Sequence, residues 1–205
     1  MSEVIPIFST PLLINHLEIS DDLKQYIREI DYEPVHIGNG DWSVDKNILN
    51  GERFKDIKEC VLDSVRQLSK GVYLVHDDIE FVISTSWILR HRYGHHTVMH
   101  NHTGSLFSGV LYIDIEEGGG DIVFHNERAM GSSHAYHHVS LPFRHVEYNS
   151  FNTPHYTVPP RTGMLLTFSS GLSHSVRPNI NDVERYSLSF NVLPKQMLNI
   201  KEIIV

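Results

Sequence analysis

The chain has 205 residues, a formal net charge of −8 and one cysteine, Cys60. That length fits one domain able to bury roughly 70% of its unfolded surface, so a core needs neither disulfides nor a structural metal. The lone cysteine points to a reducing, cytoplasmic setting. Scattered Lys and Arg argue against nucleic acid as an obligate partner, and the absence of a leader pattern or a run of about 18 apolar residues argues against export or a membrane span.

In chain order, the opening stretch through Asn15 is apolar with two prolines and reads as extended chain; its apolar strand could pair across a homodimer. Ser20-Asp21-Asp22 offers a helix start, followed by Leu23, Tyr26, Ile27 and Ile30 at helical spacing. Residues 34–50 are rich in Gly and Asn and read as loop. A second helix is expected over about Glu52 to Ser69, with Phe54, Ile57, Val61, Leu62, Val65 and Leu68 as its apolar stripe and Gly71 as its C-cap.

Beyond residue 75 the pattern turns to strands: "EFVISTSWILR", "LFSGVLYIDI", "DIVFH", "GMLLTFSS" and "RYSLSFNVL". Many short strands behind a helical preface suggest one α+β domain over residues 1–205. The preface spans 1–75 and a β-sandwich or barrel core about 79–195. Residues 126–160 are irregular and could form a lid or substrate loop, with "FRHVEY" as a strand inside it.

Histidine is the commonest metal ligand among side chains, and this chain has 15. In "RYGHHTVMHNHTGS", His100 and His102 are two apart. On an extended strand end both project to one face, so one metal could take both. His174 follows a later strand and a Ser/Gly turn. Two ligands from one strand end and one from a distant strand make a facial site that leaves positions open for oxygen and a bidentate co-substrate. Short-spaced histidines also recur by chance, as in "HAYHH" at 134–138, so the pair alone is a weak signal. Arg185 lies eleven positions after His174, where alternation puts it on one face with Ser187 and Ser189. An inward Arg is costly unless it meets an anion, and its planar fork grips a carboxylate by two parallel hydrogen bonds. A structural ion pair is the plainer alternative.

From about Trp87 to Leu193 these pieces, in this order, resemble the Fe(II)/2-oxoglutarate-dependent oxygenase superfamily, in particular its small prolyl-hydroxylase-like members. "RYG" precedes His100 at the expected distance; "SGVLYID", "GGGDIVF" and "PRTGMLLTFSSGLSH" follow, and then Arg185-Tyr186-Ser187. The form "HxHxGS…SGVLY" also resembles a group of uncharacterised bacterial and phage members. The resemblance implies a double-stranded β-helix (jelly-roll) core with the N-terminal helices packed on one sheet. It implies Fe(II) held by His100 and His174, and 2-oxoglutarate held at its C5 carboxylate by Arg185 with help from Ser187. Tyr112 and Ser108 would line the same pocket, with Gly109 and Leu111 turned away. The activity implied is a non-haem dioxygenase that couples oxidative decarboxylation of 2-oxoglutarate to hydroxylation of a small-molecule or peptidyl substrate, with dioxygen consumed.

One position departs from the family's pattern. Where an Asp or Glu ligand is usual, this chain has His102. Either His102 ligates and the site is three neutral histidines, or it does not and water or co-substrate fills the place; a shifted frame with Gly104 in the acid position is a further alternative. A cupin-type three-histidine dioxygenase without 2-oxoglutarate explains His102 but leaves Arg185 without a task. A non-enzymatic binding protein with a vestigial site is the other rival. Trp87 and Phe168 read as core aromatics, Cys60 as buried, and His95, His96, His125 and the histidines from 134 to 155 as surface or loop groups. Asn101, His125 and Arg144 could touch substrate, and Asp121 is read as a non-ligand.

Overall fold

Period-two alternation sorts most of this chain's strand residues between two interiors, and the placement of the site follows from it. The computed structural model describes residues 8–35, 39–127, 149 and 152–197. Its strands are β1 (Leu12–His16), β2 (Tyr32–Pro34), β3 (Asp41–Ser43), β4 (Phe81–His91), β5 (Thr97–His100), β6 (Phe107–Asp114), β7 (Ile122–His125), β8 (His155–Val158), β9 (Met164–Ser169), β10 (His174–Val176) and β11 (Arg185–Pro194). They form a seven-stranded sheet ordered β1-β9-β6-β11-β4-β3-β2 and a four-stranded sheet ordered β5-β10-β7-β8. Neighbouring strands in both sheets run antiparallel. This is the expected jelly roll.

Helix α1 (Asp21–Glu29) starts where the sequence predicts, with Ser20 Oγ accepting from the Leu23 amide at 3.2 Å. Helix α2 (Lys55–Arg66) follows a short 3-10 turn at Glu52–Phe54. Phe54, Val61, Val65 and Leu68 of the expected stripe are buried, and Ile57 packs beside them. They meet Ile88, Leu111, Ile113, Leu165, Leu188 and Phe190 on one face of the large sheet, so the helices do cover one sheet. The other face packs Val110, Tyr112, Leu166 and Phe168 against Ile122, Phe124 and Val176 of the small sheet. Along β11, residues 186, 188 and 190 feed the helix-side core while Arg185, Ser187 and Ser189 line the space between the sheets. A register shift opposite Asn191/Val192 lets β4 change face. Phe81 and Ile83 look to the helices before it, and Trp87 and Leu89 look into the sandwich after it.

Several expectations need correction. The preface is not purely helical, because β1, β2 and β3 extend the large sheet at its two edges. The stretch read as loop holds β3 and a 3-10 turn at Ile48–Asn50; three-residue strands are too short to show alternation. Gly71 does not cap α2. The helix runs on through it in a π-helical segment, Gln67–Val72, and the positive φ falls on Leu74, at 55°. Cys60 is exposed, because it lies beside the buried stripe rather than on it. The strand expected in "FRHVEY", Arg144 and the "HAYHH" histidines lie outside the described residues, as does most of the expected lid. Among the described residues no helix is long and apolar enough to cross a membrane.

Candidate active site

Strand register brings the three histidines together. His100 closes β5, His174 opens β10, and the two are direct partners across that pair. His102 sits two residues beyond β5, where its amide donates to the Ser170 carbonyl at 2.9 Å and fixes the turn. The ring centroids lie 4.9 Å (His100–His102), 4.3 Å (His100–His174) and 5.2 Å (His102–His174) apart. One ring nitrogen from each lies within 4.8 Å of the others, and no Asp, Glu or Cys joins the group among the described residues.

The rings are pre-aimed. Nδ1 of His100 lies 2.9 Å from the Val98 carbonyl, and Nδ1 of His174 lies 2.9 Å from the Leu172 carbonyl. A carbonyl can only accept, so each Nδ1 carries a proton, and Nε2 is the nitrogen left to face another partner. Burial, with His100 close by, holds the His174 pKa down at about 3 and that of His102 at about 4. These rings are therefore neutral near pH 7, the form that binds a metal. The donor set fits a divalent ion: three convergent imidazoles, two on the paired strands β5 and β10 and one just beyond β5.

The triad opens onto a narrow cleft between the sheets, lined by Trp87, Thr97, Tyr112, Phe168, Arg185 and Ser187, among others. Arg185 is only 2% exposed. Its Nη1 donates to the carbonyls of Gly119 at 3.3 Å and Gly120 at 3.1 Å. Gly120 has φ +96°, and a Cβ there would meet the Arg177 carbonyl oxygen at 2.3 Å, so the "GGGD" turn that seats the guanidinium requires glycine at this position. Among the described residues no carboxylate forms an ion pair with Arg185. The Arg185 Nε, the Tyr112 hydroxyl and the Ser187 hydroxyl are fully buried and without a hydrogen-bond partner among the described residues. Burial lifts the Tyr112 pKa to about 12, so its phenol is neutral and able to donate. Buried polar atoms are rarely left unpaired. Three such atoms around one cleft, one on a cation, describe a cradle for an anion.

The structure thus brings His100, His102, His174, Arg185, Ser187 and Tyr112 to one cleft. It does not bring Ser108 there. That hydroxyl is spent on Ser170 Oγ and Asn191 Oδ1, both at 2.7 Å, beyond the cleft lining. Alternation along β6 puts Ser108 on the same face as Tyr112, but Asn191, its partner on β11, closes that end. Gly109, expected to turn away, lines the cleft with its backbone, although a Cβ there would point to the helix side and strike the Phe190 ring at 2.2 Å. Asp121 is ion-paired with Arg177 at 3.1 Å, and His125 Nε2 meets Ser175 Oγ at 2.9 Å. Neither lines the cleft, and Asn101 is exposed.

Two residues were misread or missed. Trp87, read as core, lines the cleft with its ring 6.2 Å from that of His102. Alternation puts Trp87 and Leu89 on one face and Ile88 on the other, and the β4 register shift decides which of them is inner. His91, paired with Arg185 across β4 and β11, is 2% exposed. Burial and the Arg185 charge push its pKa down to about 3. Its Nε2 lies 3.4 Å from Thr97 Oγ1, on a residue that lines the cleft.

Comparison with known proteins gives a family and a fold. Residues 85–191, more than half of the chain, match a family described as "Putative 2OG-Fe(II) oxygenase". A structure of HygX from Streptomyces hygroscopicus with nickel and 2-oxoglutarate bound is 13% identical, with a TM-score of 0.62 over 91% of this chain and 84% of that one. A 2OG-Fe(II) oxygenase family oxidoreductase from Burkholderia pseudomallei is 19% identical, with a TM-score of 0.55 over 83% and 75% of the two chains. A prolyl-4-hydroxylase from Pseudomonas putida is 17% identical, with a TM-score of 0.53 over 89% and 93%. At these identities the likeness is one of fold. No curated protein sequence matches the chain.

Proposed function

The chain belongs to the 2OG-Fe(II) oxygenase family, and from that premise we propose that its cleft couples decarboxylation of 2-oxoglutarate to hydroxylation of an organic substrate. When bound, iron(II) and 2-oxoglutarate supply the oxidising chemistry: dioxygen is consumed, the co-substrate leaves as succinate and carbon dioxide, and a substrate C–H bond is oxidised. His100, His102 and His174 would hold the metal, the first and third through Nε2 because their Nδ1 atoms are committed to carbonyls. Arg185, Tyr112 and Ser187 grip the distal carboxylate of the co-substrate. The single observation that carries this reading is their orphaned trio of buried polar atoms. Phe168, Val110, Ile122 and Val176 wall the cleft and exclude water. A small-molecule substrate would enter past Trp87.

The test is succinate release and 2-oxoglutarate binding in the iron-loaded protein. Both should depend on iron and be lost in Arg185→Ala; normal turnover in that variant would sink the reading. A second reading, a three-histidine dioxygenase that needs no 2-oxoglutarate, has the donor set in its favour but leaves the anion cradle without an occupant. Metal-to-ligand absorbance on adding 2-oxoglutarate separates the two. The edge strand β1, with Ile14 41% exposed, is the surface through which a homodimer would pair. The unpaired Cys60 agrees with a reducing, cytoplasmic compartment.

A further inference from the structure

Among the described residues, no carboxylate lines the cleft that holds the three histidines. The donor set is three imidazoles. The groups that hold His100 and His174 in place are backbone carbonyls, not carboxylates, although carboxylates behind metal-bound histidines commonly raise ligand basicity. The nearby Asp121 is paired with Arg177, and Glu127 is hydrogen-bonded by Ser173. The one charged side chain that lines the cleft is a cation, Arg185, buried and without an ion-pair partner among the described residues.

Two like charges sharing a low-dielectric space repel strongly. A divalent ion entering this cleft therefore meets one cation and no carboxylate in its lining among the described residues, and the nearby charge of Asp121, which reaches Arg185 and Tyr112, is shared with Arg177. A carboxylate at position 102 would cancel half of the ion's charge, whereas His102 cancels none. The missing negative charge must come from the ligand that spans the metal and Arg185. Resting on the reading of the cleft as a 2-oxoglutarate site, we propose that His102 makes metal retention conditional on the co-substrate: divalent metal and the 2-oxo dicarboxylate load as a mutually dependent pair, each weakly held alone. Chelation couples the two ligands to some degree in any such site. The further claim is that the absent carboxylate enlarges this coupling and lowers the affinity for metal alone. Linkage requires the effect to be reciprocal.

The test uses full-length protein and Mn(II), which binds without turnover. Mn(II) affinity is measured by competition with a fluorescent chelator, alone, with saturating 2-oxoglutarate, and with pyruvate, which has the same chelating end but no distal carboxylate. In the wild-type protein, Mn(II) should be lost on dialysis and retained when 2-oxoglutarate is present, with affinity raised on the order of 100-fold. Pyruvate should give a clearly smaller rise. His102→Asp, with His102→Glu as a second variant, should bind Mn(II) alone more tightly, and its coupling to 2-oxoglutarate should fall by about tenfold. The inference is overturned if wild-type protein retains Mn(II) equally well through dialysis without 2-oxoglutarate. It is also overturned if a folded carboxylate variant shows undiminished coupling. Failure of 2-oxoglutarate to bind at saturating Mn(II) overturns the reading of the cleft together with this inference. Binding of 2-oxoglutarate with Mn(II) affinity unchanged within twofold overturns the inference alone.

Discussion

The two ends of the cleft are built on opposite principles. At the histidine end, Nδ1 of His100 and of His174 already has a partner, and the rings are held by paired strands. At the arginine end, three buried polar atoms have none. The first end is close to self-sufficient without its ligand. The second carries an unpaid desolvation cost until an anion arrives. A rigid, satisfied frame sets where the chemistry happens, and an unsatisfied cradle sets what must bind beside it.

The largest expected effect falls on the histidine end. His174→Ala removes a proposed ligand and a β5–β10 partner, so metal affinity should drop by more than about 100-fold, read by competition titration with little change in the helices. Next is the arginine end, where the contrast predicts a reversal of sign. Arg185→Met should abolish measurable 2-oxoglutarate binding, a loss on the order of 100-fold or more. It should also stabilise the ligand-free protein by about 1–4 kcal/mol, because an unpaired buried cation is replaced by a packed apolar chain. A lowered melting temperature in that variant would contradict the account of the cradle as strained.

The pH dependence of the metal-free protein tests the wall behind the cradle. The folded-state pKa of His91, about 3, lies below its unfolded value of 6.5. The unfolded chain therefore binds a proton that the folded protein refuses. Stability contributed by the neutral ring is present above pH 6.5 and is lost as pH falls from there towards 3, at no more than about 1.4 kcal/mol per pH unit. His91→Phe should flatten that part of the curve. Ser187→Ala should weaken 2-oxoglutarate binding by about tenfold, the worth of one hydrogen bond, with Mn(II) affinity unchanged. Ser108→Ala should leave 2-oxoglutarate affinity within about twofold of wild type and cost about 1 kcal/mol of stability through its lost buried bonds. A larger binding effect would return Ser108 to the site.

Much of this was legible in the chain. Alternation placed Arg185, Ser187 and Ser189 on the inner face of β11, and the spacing of Ser20, Leu23 and Ile27 marked α1. Local pattern failed where the cause was not local. Strands of three residues, such as β2 and β3, carry too little periodicity to detect, and they exist because β4 offers them an edge. Trp87 looked like core because its type suits a core, while the shift in β4 register set its face. Cys60 was read as buried from residue type, although the stripe one position away already excluded it.

By itself, then, the sequence determined the alternation along β6 and β11, the order of the pieces and the identity of the groups at 100, 102, 174 and 185, because side-chain direction along a regular strand follows from a fixed period. Only the tertiary structure decided which hydroxyls remain available. Ser108 and Ser187 share a face and a side-chain type, yet Ser108 is spent on Ser170 and Asn191 while the Ser187 hydroxyl is left unpaired. Hydrogen-bond satisfaction belongs to the neighbours that the fold supplies, and periodicity carries no record of them.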